Sequence, residues 1–378
     1  MKTKQHHFLN NQWENFASDL NNEKSQLVLV FGSPECIVKN EEVLEHLKKT
    51  YPNADIVLSS TAGEIINSTV YDDSVVATAI EFEKTTVKSV KTNINDHQDG
   101  YQAGAYLKKQ LDGTDLSGIF IIADGTLIDG ADLARGFNEN NPTNIPITGG
   151  LAGDAARFQK TFTGLNESPS QGNIIAVGFY GKDILIGHGS LGGWDEFGIE
   201  RLITSSDKNV LAELDNENAL DLYKKYLGTY ADELPGSALL FPLSMKVPGS
   251  DRYLIRTVLG VNDEEKKMIF AGSMPEGSKS RLMTGNFAKL INASAIAAKD
   301  SLEGMKNHKP DLTLLVSCVG RKLLLHSRIV EEVEAAEDVI LDGTVSGFYS
   351  YGGISPFGAC SPCQLHNQTM TITTFAEA

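Results

Sequence analysis

The sequence predicts an α/β protein of the α+β type, with two domains built on mixed β-sheets that helices flank. Three observations support this class. Continuous apolar runs are each followed by a helical segment and then by a glycine-rich turn, and this order occurs three times. Strand-like segments follow those turns, so both hairpins and crossover helices are expected, which is typical of mixed sheets. The length of 378 residues favours two domains over one.

The first repeated unit begins after a polar stretch, residues 1–25, which we expect to form a leader helix or a loose arm. Leu27–Phe31 is a continuous apolar run, as in a strand that is buried on both faces. Asn40 can cap a helix over Glu41–Thr50, because its side-chain oxygen can accept from an unpaired N–H. The rest of the unit is predicted as a glycine turn, a two-stranded hairpin and a helix: Ile56–Glu64, Ser74–Phe82 with Thr86–Ile94, and Tyr101–Leu111.

The second and third units repeat this order. The second has its strand, helix, glycine turn and hairpin strands at Gly118–Ala123, Ala131–Glu139, Ile145–Asp154, Asn173–Phe179 and Asp183–His188. The third has its strand, helix, glycine turn and closing strand at Leu312–Ser317, Arg328–Glu337, Val345–Gly353 and Gln368–Phe375. Glycine has no Cβ, so such turns can adopt positive φ or approach a ligand closely. We therefore expect the three turns to face one shared site.

The segment between the second and third units has a different pattern. We place the domain boundary at a charged, Asn-rich stretch near Asp215, which gives domains at 25–215 and 216–378. The helix over Ala219–Leu227 ends at Gly228. The remaining predicted elements are three strands and an Ala-rich helix: Ala238–Leu243, Tyr253–Val258, Lys267–Ala271 and Phe287–Leu302.

Charge and hydropathy narrow the functional class. The chain has 49 acidic and 33 basic residues and a net charge of −16, which argues against nucleic-acid and anionic-membrane partners. No apolar run reaches the roughly 18 residues that a membrane span needs. The segment Met1–His7 lacks the apolar core of a signal peptide, and only four cysteines occur, which suits a reducing compartment. The sequence therefore predicts a cytoplasmic protein.

One glycine motif has the spacing of a dinucleotide-binding loop. Gly187–Gly192 matches G-x-G-x-x-G, but that motif needs a helix directly behind it. The segment that follows, Gly193–Gly198, is not helical in pattern, which favours a loop that lines a pocket with Trp194 as a wall. His188 is then either a hydrogen-bonded structural histidine or a ligand donor.

One cluster has metal-like spacing, formed by Cys360, Cys363 and His366. It supplies three donors where zinc takes four. Two inert thiols in a loop are the simpler interpretation, and a metal or redox role of Cys360 and Cys363 is left open.

No local pattern marks a catalytic centre. Neither a P-loop nor H-E-x-x-H occurs, and Ser190 lacks the flanking glycines of a nucleophile elbow. Arg321 directly follows an apolar strand. Its planar guanidinium could bind a ligand carboxylate or form a surface salt bridge, and the sequence leaves both open.

Several longer motifs resemble the FIST family, over roughly residues 27–375. The segments that carry the resemblance are Gly149–Asp154, Gly193–Gly198, Glu213–Tyr223, Leu239–Leu243, Phe270–Gly272, Arg281–Met283, Ser317–Arg321, Gly347–Gly352 and Leu365–Thr371. Two positions depart from the family pattern. Gly353 stands where the family more usually has Glu, and Ser273 stands where it more usually has Asp. Each departure removes an acid that a ligand contact could use.

The resemblance implies a cytosolic sensor of signal transduction and not an enzyme. FIST domains are thought to bind small ligands, amino acids among them, and they accompany histidine kinases, cyclic-di-GMP enzymes or chemotaxis receptors. One branch consists of stand-alone haem-binding nitric-oxide sensors that regulate a separate kinase. A partner in trans is therefore expected, either a sensor histidine kinase of a two-component system or a cyclic-di-GMP enzyme. The ligand, the partner and the oligomeric state, with a homodimer as one option, are left open.

An amino-acid-like ligand would be bound by residues of the repeated turns and of the third unit. In this hypothesis Arg321 takes a carboxylate, Asp154 an amino group, and Tyr349 and Tyr351 form walls. The full predicted set is Gly149, Gly150, Asp154, Arg321, Tyr349, Tyr351, His366 and Asn367.

Two other hypotheses name different residues. In an enzyme acting on a small carboxylate-bearing substrate at the interdomain cleft, Cys318, His366 and Asp154 would surround the substrate. In a haem sensor, the candidate cofactor needs an axial donor beside an apolar slot. His188 ranks first as that donor, because its flanking glycines would let a flat macrocycle approach, and His366 ranks second.

Overall fold

The computed structural model describes residues 1–139, 141, 145–246, 253–358 and 361–378. The strands up to residue 191 are β1 (Lys2–Leu9), β2 (Gln12–Asn15), β3 (Leu27–Gly32), β4 (Asp55–Ser60), β5 (Glu64–Ile66), β6 (Thr69–Tyr71), β7 (Val75–Glu81), β8 (Thr86–Asn93), β9 (Leu116–Ala123), β10 (Ile147–Leu151), β11 (Thr163–Leu165), β12 (Asn173–Tyr180) and β13 (Ile184–Leu191). The later strands are β14 (Asp195–Asp207), β15 (Val210–Leu214), β16 (Glu217–Asn218), β17 (Leu243–Lys246), β18 (Tyr253–Arg256), β19 (Val258–Asn262), β20 (Lys267–Phe270), β21 (Lys279–Thr284), β22 (Leu312–Cys318), β23 (Thr344–Ser350), β24 (Gly352–Pro356), β25 (Cys363–His366) and β26 (Met370–Glu377). The α-helices are α1 (Pro34–Val38), α2 (Glu41–Thr50), α3 (Gly100–Leu111), α4 (Gly130–Asn138), α5 (Ala219–Leu227), α6 (Phe287–Leu302), α7 (Val319–Leu325) and α8 (Ile329–Ile340).

The predicted α+β class and the threefold repeat are confirmed by three six-stranded mixed sheets. Their strand orders are β11-β4-β3-β7-β1-β2, β25-β24-β10-β9-β12-β8 and β13-β26-β22-β23-β5-β6, and we call them the first, second and third sheets. In each sheet a central strand, β3, β9 or β22, has a parallel neighbour on one side and an antiparallel neighbour on the other. The parallel pairs need crossover connections, which contain α2, α4 and α8.

The hairpins predicted after the first and second glycine turns are wrong, because their consecutive strands belong to different sheets. β7 lies between β3 and β1 in the first sheet, whereas β8 pairs with β12 in the second. β12 in turn lies between β9 and β8, whereas β13 pairs with β26 in the third sheet. β7 and all but the last residue of β12 are buried, so each is a central strand with a partner on both sides.

The inner faces of the three sheets meet in one apolar core. Side chains alternate along a strand, so Leu27, Leu29 and Phe31 point inward while Val28 and Val30 pack against α1 and α2. The shared core also takes Phe120 from the second sheet and Phe348 from the third, and Phe31 stacks on Phe348 at 4.6 Å between ring centroids. Both faces of every central strand are therefore buried, as the continuous apolar runs predict.

The polar N-terminal segment is a strand and not the predicted helix or loose arm. β1 pairs with β7 and makes a hairpin with β2, so it completes the first sheet. His6 and His7 are buried, and His6 hydrogen-bonds through its two ring nitrogens to Asn15 and Tyr51. The strand lacks an apolar pattern because its buried positions include polar side chains, of which Gln5 and His6 hydrogen-bond inside the protein.

Residues 195–284 form a separate unit between the second and third repeats, and we call this unit the module. It begins before the predicted boundary near Asp215. Its sheet has the order β18-β17-β21-β14-β15-β20-β19, with β16 beside β15, and α5 packs against it. The predicted strand Ala238–Leu243 is wrong: Gly236–Leu240 is a 3₁₀ helix, and β17 begins only at Leu243. α6 has its predicted bounds and returns the chain to the third sheet.

Most long helices begin with a side-chain cap. The carboxylate of Asp99 accepts from Gln102 N at the start of α3, and that of Asp129 accepts from Ala131 N and Asp132 N at the start of α4. Asn286 caps α6 in the same way. The predicted cap at Asn40 is wrong, because its side chain makes no cap hydrogen bond to α2.

The predicted division at 215/216 does not follow the sheets. The third sheet combines β5, β6 and β13, which precede that position, with β22, β23 and β26, which follow it. The two predicted domains therefore remain a prediction about sequence segments, which share strands in the folded chain.

A buried carboxylate marks the point at which the chain crosses from the first sheet into the third. Glu64 begins β5 and is fully buried. Thr61 Oγ1 hydrogen-bonds to one oxygen, and Ser74 donates to the other from its hydroxyl at 2.8 Å and its N–H at 3.2 Å. Burial disfavours the ionised form and raises the pKa of Glu64 from 4.5 to about 8.

This carboxyl predicts that stability decreases with rising pH. Between pH 4.5 and about 8 the folded state keeps the Glu64 proton while the unfolded state has released it, so the free energy of unfolding falls across that window and is flat above it. Glu64→Gln should remove this decline. Its free energy of unfolding should therefore increase relative to that of the wild type as the pH rises. Urea unfolding at pH 5 to 9 measures this difference in the free energy of unfolding. Glu23→Gln is the control, because Glu23 is exposed. Parallel curves for wild type and Glu64→Gln would contradict the assignment.

Candidate functional site

The three predicted glycine turns meet, but they pack directly on one another. Ala62 N donates to Tyr349 O at 2.8 Å, Gly153 N to Ser60 O at 2.9 Å, and Tyr351 N to Leu151 O at 3.2 Å. These bonds link the first sheet to the third, the second to the first, and the third to the second. The shared centre that the sequence predicts is therefore a junction of the three sheets, closed by backbone hydrogen bonds.

Gly149 and Gly150 lie inside strand β10 and not in a turn, which corrects the predicted ligand loop. Gly149 has φ +139°, and a Cβ there would be 1.9 Å from Ile121 O. A Cβ at Gly150 would be 2.7 Å from Val316 Cγ1 of the third sheet. Both glycines are needed for close packing between strands and between sheets.

Arg321 and Tyr349 bind a buried carboxylate, Glu332 on α8. Arg321 Nε lies 2.8 Å from Glu332 Oε2, and Nη2 lies 2.6 Å from the same oxygen. Tyr349 Oη and Ser317 Oγ donate to Oε1 at 2.8 and 3.0 Å. The other guanidinium donors bond to backbone carbonyls of Gly192 and Leu290. Arg321 therefore has a partner other than the predicted ligand carboxylate or surface acid, and burial together with Glu332 raises the pKa of Tyr349.

Asp154 holds a loop, and that loop presents an aromatic side chain. Asp154 Oδ1 accepts from Phe158 N at 2.9 Å, and Oδ2 accepts from Gln159 N and Lys160 N at 3.0 and 2.8 Å. Tyr351 Oη also bonds to Oδ1, and the Tyr351 ring stacks on Phe158. The carboxylate is 2% exposed, so it positions the loop instead of meeting an amino group as predicted.

His366 and Asn367 are buried at the end of β25. His366 Nε2 lies 2.8 Å from Ser355 O, and its ring contacts the edge of Phe357. The Asn367 amide has no hydrogen-bond partner among the described residues. Neither residue lines the cleft described below.

The residues around His188 do not fit a haem that approaches over the flanking glycines. A Cβ at Gly187 would be 1.8 Å from Ser301 O, and a Cβ at Gly189 would be 2.0 Å from Ala297 O. Helix α6 therefore fills the face that the glycines open. His188 points to the other face of β13, on which Ile184 and Ile186 pack in the sheet core. Segment 190–194 does line a cavity, as the motif predicts, with Trp194 in its wall.

Two members of the alternative catalytic set, Cys318 and Asp154, are buried in other roles. Cys318 is 4% exposed, and burial raises the pKa of its thiol. Asp154 is used by its own loop and by Tyr351. Burial also raises the pKa of Cys363, to about 12, and its partner in the metal-like motif, Cys360, lies outside the described residues. Over those described ranges, no three His, Cys, Asp or Glu side chains are grouped to hold a metal.

A cleft between the three-sheet core and the module is the candidate site. It has a volume of roughly 290 Å³. Of the predicted site residues, the cleft contains Tyr351. Its walls combine glycine backbone, apolar side chains and one carboxylate: Gly125, Thr126, Leu127, Ile128, Asp129, Gly130, Leu151, Phe158 and Tyr351 from the core, and Asn209, Leu259, Phe270, Ala271 and Gly272 from the module.

A second buried carboxylate fixes the core wall of the cleft. Asp124 accepts from Thr126 N and Leu127 N at 2.7 and 2.9 Å, from Thr161 Oγ1 at 2.7 Å and from Gly172 N at 2.8 Å. Together with Asp154, it holds both loops that face the module. The wall is thus largely preformed, as is usual for small-molecule sites.

Opposite charges flank the cleft. Asp129 lines it, with Oδ1 used in capping α4. Arg256 lies behind Gly272, where a Cβ would be 3.1 Å from Nε and 3.2 Å from Cζ. Arg256 is 2% exposed and donates to the carbonyls of Ser273 and Leu365. Among the described residues no carboxylate forms a salt bridge with it, although the negative charge of Asp129 acts on it from beyond that distance. Burial lowers its pKa to about 10, so it stays charged at neutral pH.

Sequence reasoning missed Phe158, Asp129, Asp124 and Arg256. One local signal was available, since Asp124-Gly125 follows directly on the buried strand β9 and a second Asp-Gly pair, Asp129-Gly130, precedes the next helix. Phe158 and Arg256 stand in segments with no such mark, and only the tertiary structure brings them to the cleft.

Two family models match the chain. The FIST N domain matches residues 26–217, and the FIST C domain matches residues 219–356. No curated protein matches the chain. Among the described residues, no helix is both long and apolar enough to cross a membrane.

The burial of Glu332 predicts a large cost for losing its charge. Glu332→Gln leaves Arg321 buried without a carboxylate, and breaking such a pair costs about 3–5 kcal/mol. The matched control is Glu331→Gln on the same helix, whose partner Arg328 is 43% exposed, with an expected cost below about 1 kcal/mol. Urea unfolding at pH 7 compares the two, and equal losses would refute the anchoring role of Glu332.

The packing around Gly149 predicts a structural and not a ligand-specific effect of substitution. Gly149→Ala should lower the free energy of unfolding by about 3 kcal/mol or more, because the new Cβ meets Ile121 O and the φ is unfavourable. Gly236→Ala is the control, since a Cβ there meets nothing within 4 Å. A stable Gly149→Ala protein that had lost only ligand binding would restore the ligand-loop hypothesis.

Proposed function

The chain belongs to the FIST family, a family of sensory ligand-binding domains in signalling, and we propose that it senses a small amino-acid-like ligand bound in the cleft. The observation that carries this proposal is the composition of the cleft. Its walls come from both matched segments, with residues 125–130, Leu151, Phe158 and Asn209 from the first and Leu259, Gly272 and Tyr351 from the second. A ligand there contacts the core and the module together.

The charges beside the cleft suit a zwitterion. Asp129 offers a carboxylate to an ammonium group, and the buried guanidinium of Arg256 supplies positive potential behind the glycine wall. These two residues take over the roles that the sequence suggested for Asp154 and Arg321. Burying a cation is costly, and the carboxylate whose charge acts on Arg256, that of Asp129, forms no salt bridge with it, so an anionic ligand group nearby is favoured.

Signalling then requires that the ligand bind one arrangement of the core and the module more tightly than another. A ligand that bridges the core and the module stabilises the arrangement in which both contact it, and it shifts the population accordingly. We propose that a separate partner, a histidine kinase of a two-component system or a cyclic-di-GMP enzyme, reads this arrangement in the cytoplasm. Family membership supports this scheme, and no haem is needed for it.

A thermal-shift screen of the twenty amino acids tests the ligand class. A ligand at about 100 times its dissociation constant adds roughly 2.7 kcal/mol of stability. Asp129→Asn should weaken the best ligand by roughly 10-fold or more, because a hydrogen bond to a charged group is lost. Asn is also a good N-cap, so α4 should be retained.

The matched control is Asp99→Asn, which alters the N-cap of α3 and lies outside the cleft. It should bind the ligand like the wild type. If no amino acid shifts the transition, or if both variants bind equally well, the amino-acid proposal fails.

A further inference from the structure

One aromatic side chain in the cleft is held with a face open to it. Phe158 is 46% exposed and lines the cleft, while its ring stacks on Tyr351 at 4.6 Å between centroids and 20° between planes. Tyr351 is only 8% exposed, so it backs the Phe158 ring from inside the protein. The exposed face of the Phe158 ring contributes little to the stability of the fold, because it buries no apolar surface.

The backbone at Phe158 is held in a conformation that bulky residues rarely adopt. Its φ is +53°, in the left-handed region. Phe158 N donates to Asp154 Oδ1 at 2.9 Å and to Tyr351 Oη at 3.0 Å, and the next two N–H groups also bind Asp154. A buried carboxylate and a tyrosine hydroxyl thus fix the direction of the ring.

Two further large apolar side chains lie exposed in the same cleft. Leu127 of the core is 52% exposed, and Leu259 of the module is 48% exposed. Scattered exposed leucines are ordinary, but three large apolar side chains around one cavity indicate a binding surface. Gly125 and Gly272 also line the cleft, and neither has a side chain to project into it.

We infer that the ligand of the cleft carries a planar ring, which stacks on Phe158 and is covered by Leu127 and Leu259. This inference rests on the proposed function and narrows it to aromatic amino acids or close ring-bearing analogues. The ring would complete a three-layer stack with Phe158 and Tyr351. The ammonium group of the ligand would lie toward Asp129 and its carboxylate toward Arg256.

Titration of the full chain with L-phenylalanine and L-leucine tests the ring. Both probes are apolar amino acids, and only one can stack. Phenylalanine should bind roughly 3- to 10-fold more tightly, which is the range that a stacked aromatic pair gives. Phe158→Leu should remove this preference, and Phe158→Trp should restore it. Phe287→Leu, which changes a 40% exposed phenylalanine outside the cleft, should leave it unchanged.

The outcomes separate the two proposals. Equal binding of phenylalanine and leucine, or an unchanged preference in Phe158→Leu, would overturn the ring assignment and leave the amino-acid sensor intact. Failure of all twenty amino acids to bind would overturn both. Urea unfolding of each variant without ligand confirms that a lost preference reflects the site, because Phe158 is half exposed and its substitution should cost little stability.

Discussion

The structure depends on the exchange of strands between its three sheets. Each repeat supplies the centre of one sheet and then sends a strand to another: β8 to the second sheet, β13 to the third, and β24 to the second. An unpaired edge strand is a liability, and exchange satisfies these edges with backbone bonds from a distant part of the sequence. The glycines of β10 and the turn at Gly153 allow the sheets to approach closely enough for this to happen.

Buried carboxylates position side chains within the third unit and the loops beside the candidate site. Glu332 draws Arg321, Ser317 and Tyr349 together inside the third unit. Asp124 and Asp154 instead collect backbone N–H groups, which a carboxylate can accept without a cation nearby. The first arrangement stabilises the core, whereas the second orders the two loops that face the module. The core side of the candidate site is therefore held in place by buried hydrogen bonds.

Local sequence identified which segments form strands, but not their partners. Leu27–Phe31 and Gly118–Ala123 are strands because their apolar runs are buried on both faces. β7 and β12 were assigned to hairpins because a strand buried on both faces gives no sign of which neighbour it pairs with. β1 was missed because its buried positions include Gln5, His6 and His7. Among the site residues, Tyr351 does line the cleft, whereas Arg321 looked available only because its partner Glu332 is eleven residues away on another helix.

Strand exchange also sets the order in which the chain can fold. The first sheet needs only residues 2–165, so it can close early, during synthesis. The third sheet must wait for β23 and β26, because until then the β5–β6 hairpin has no strand beside β5, and β13 has no partner. Strand pairings of such long sequence separation slow folding, and they leave unpaired, aggregation-prone strand edges exposed during synthesis. A nascent chain of this protein is therefore expected to rely on chaperones until its last strand emerges.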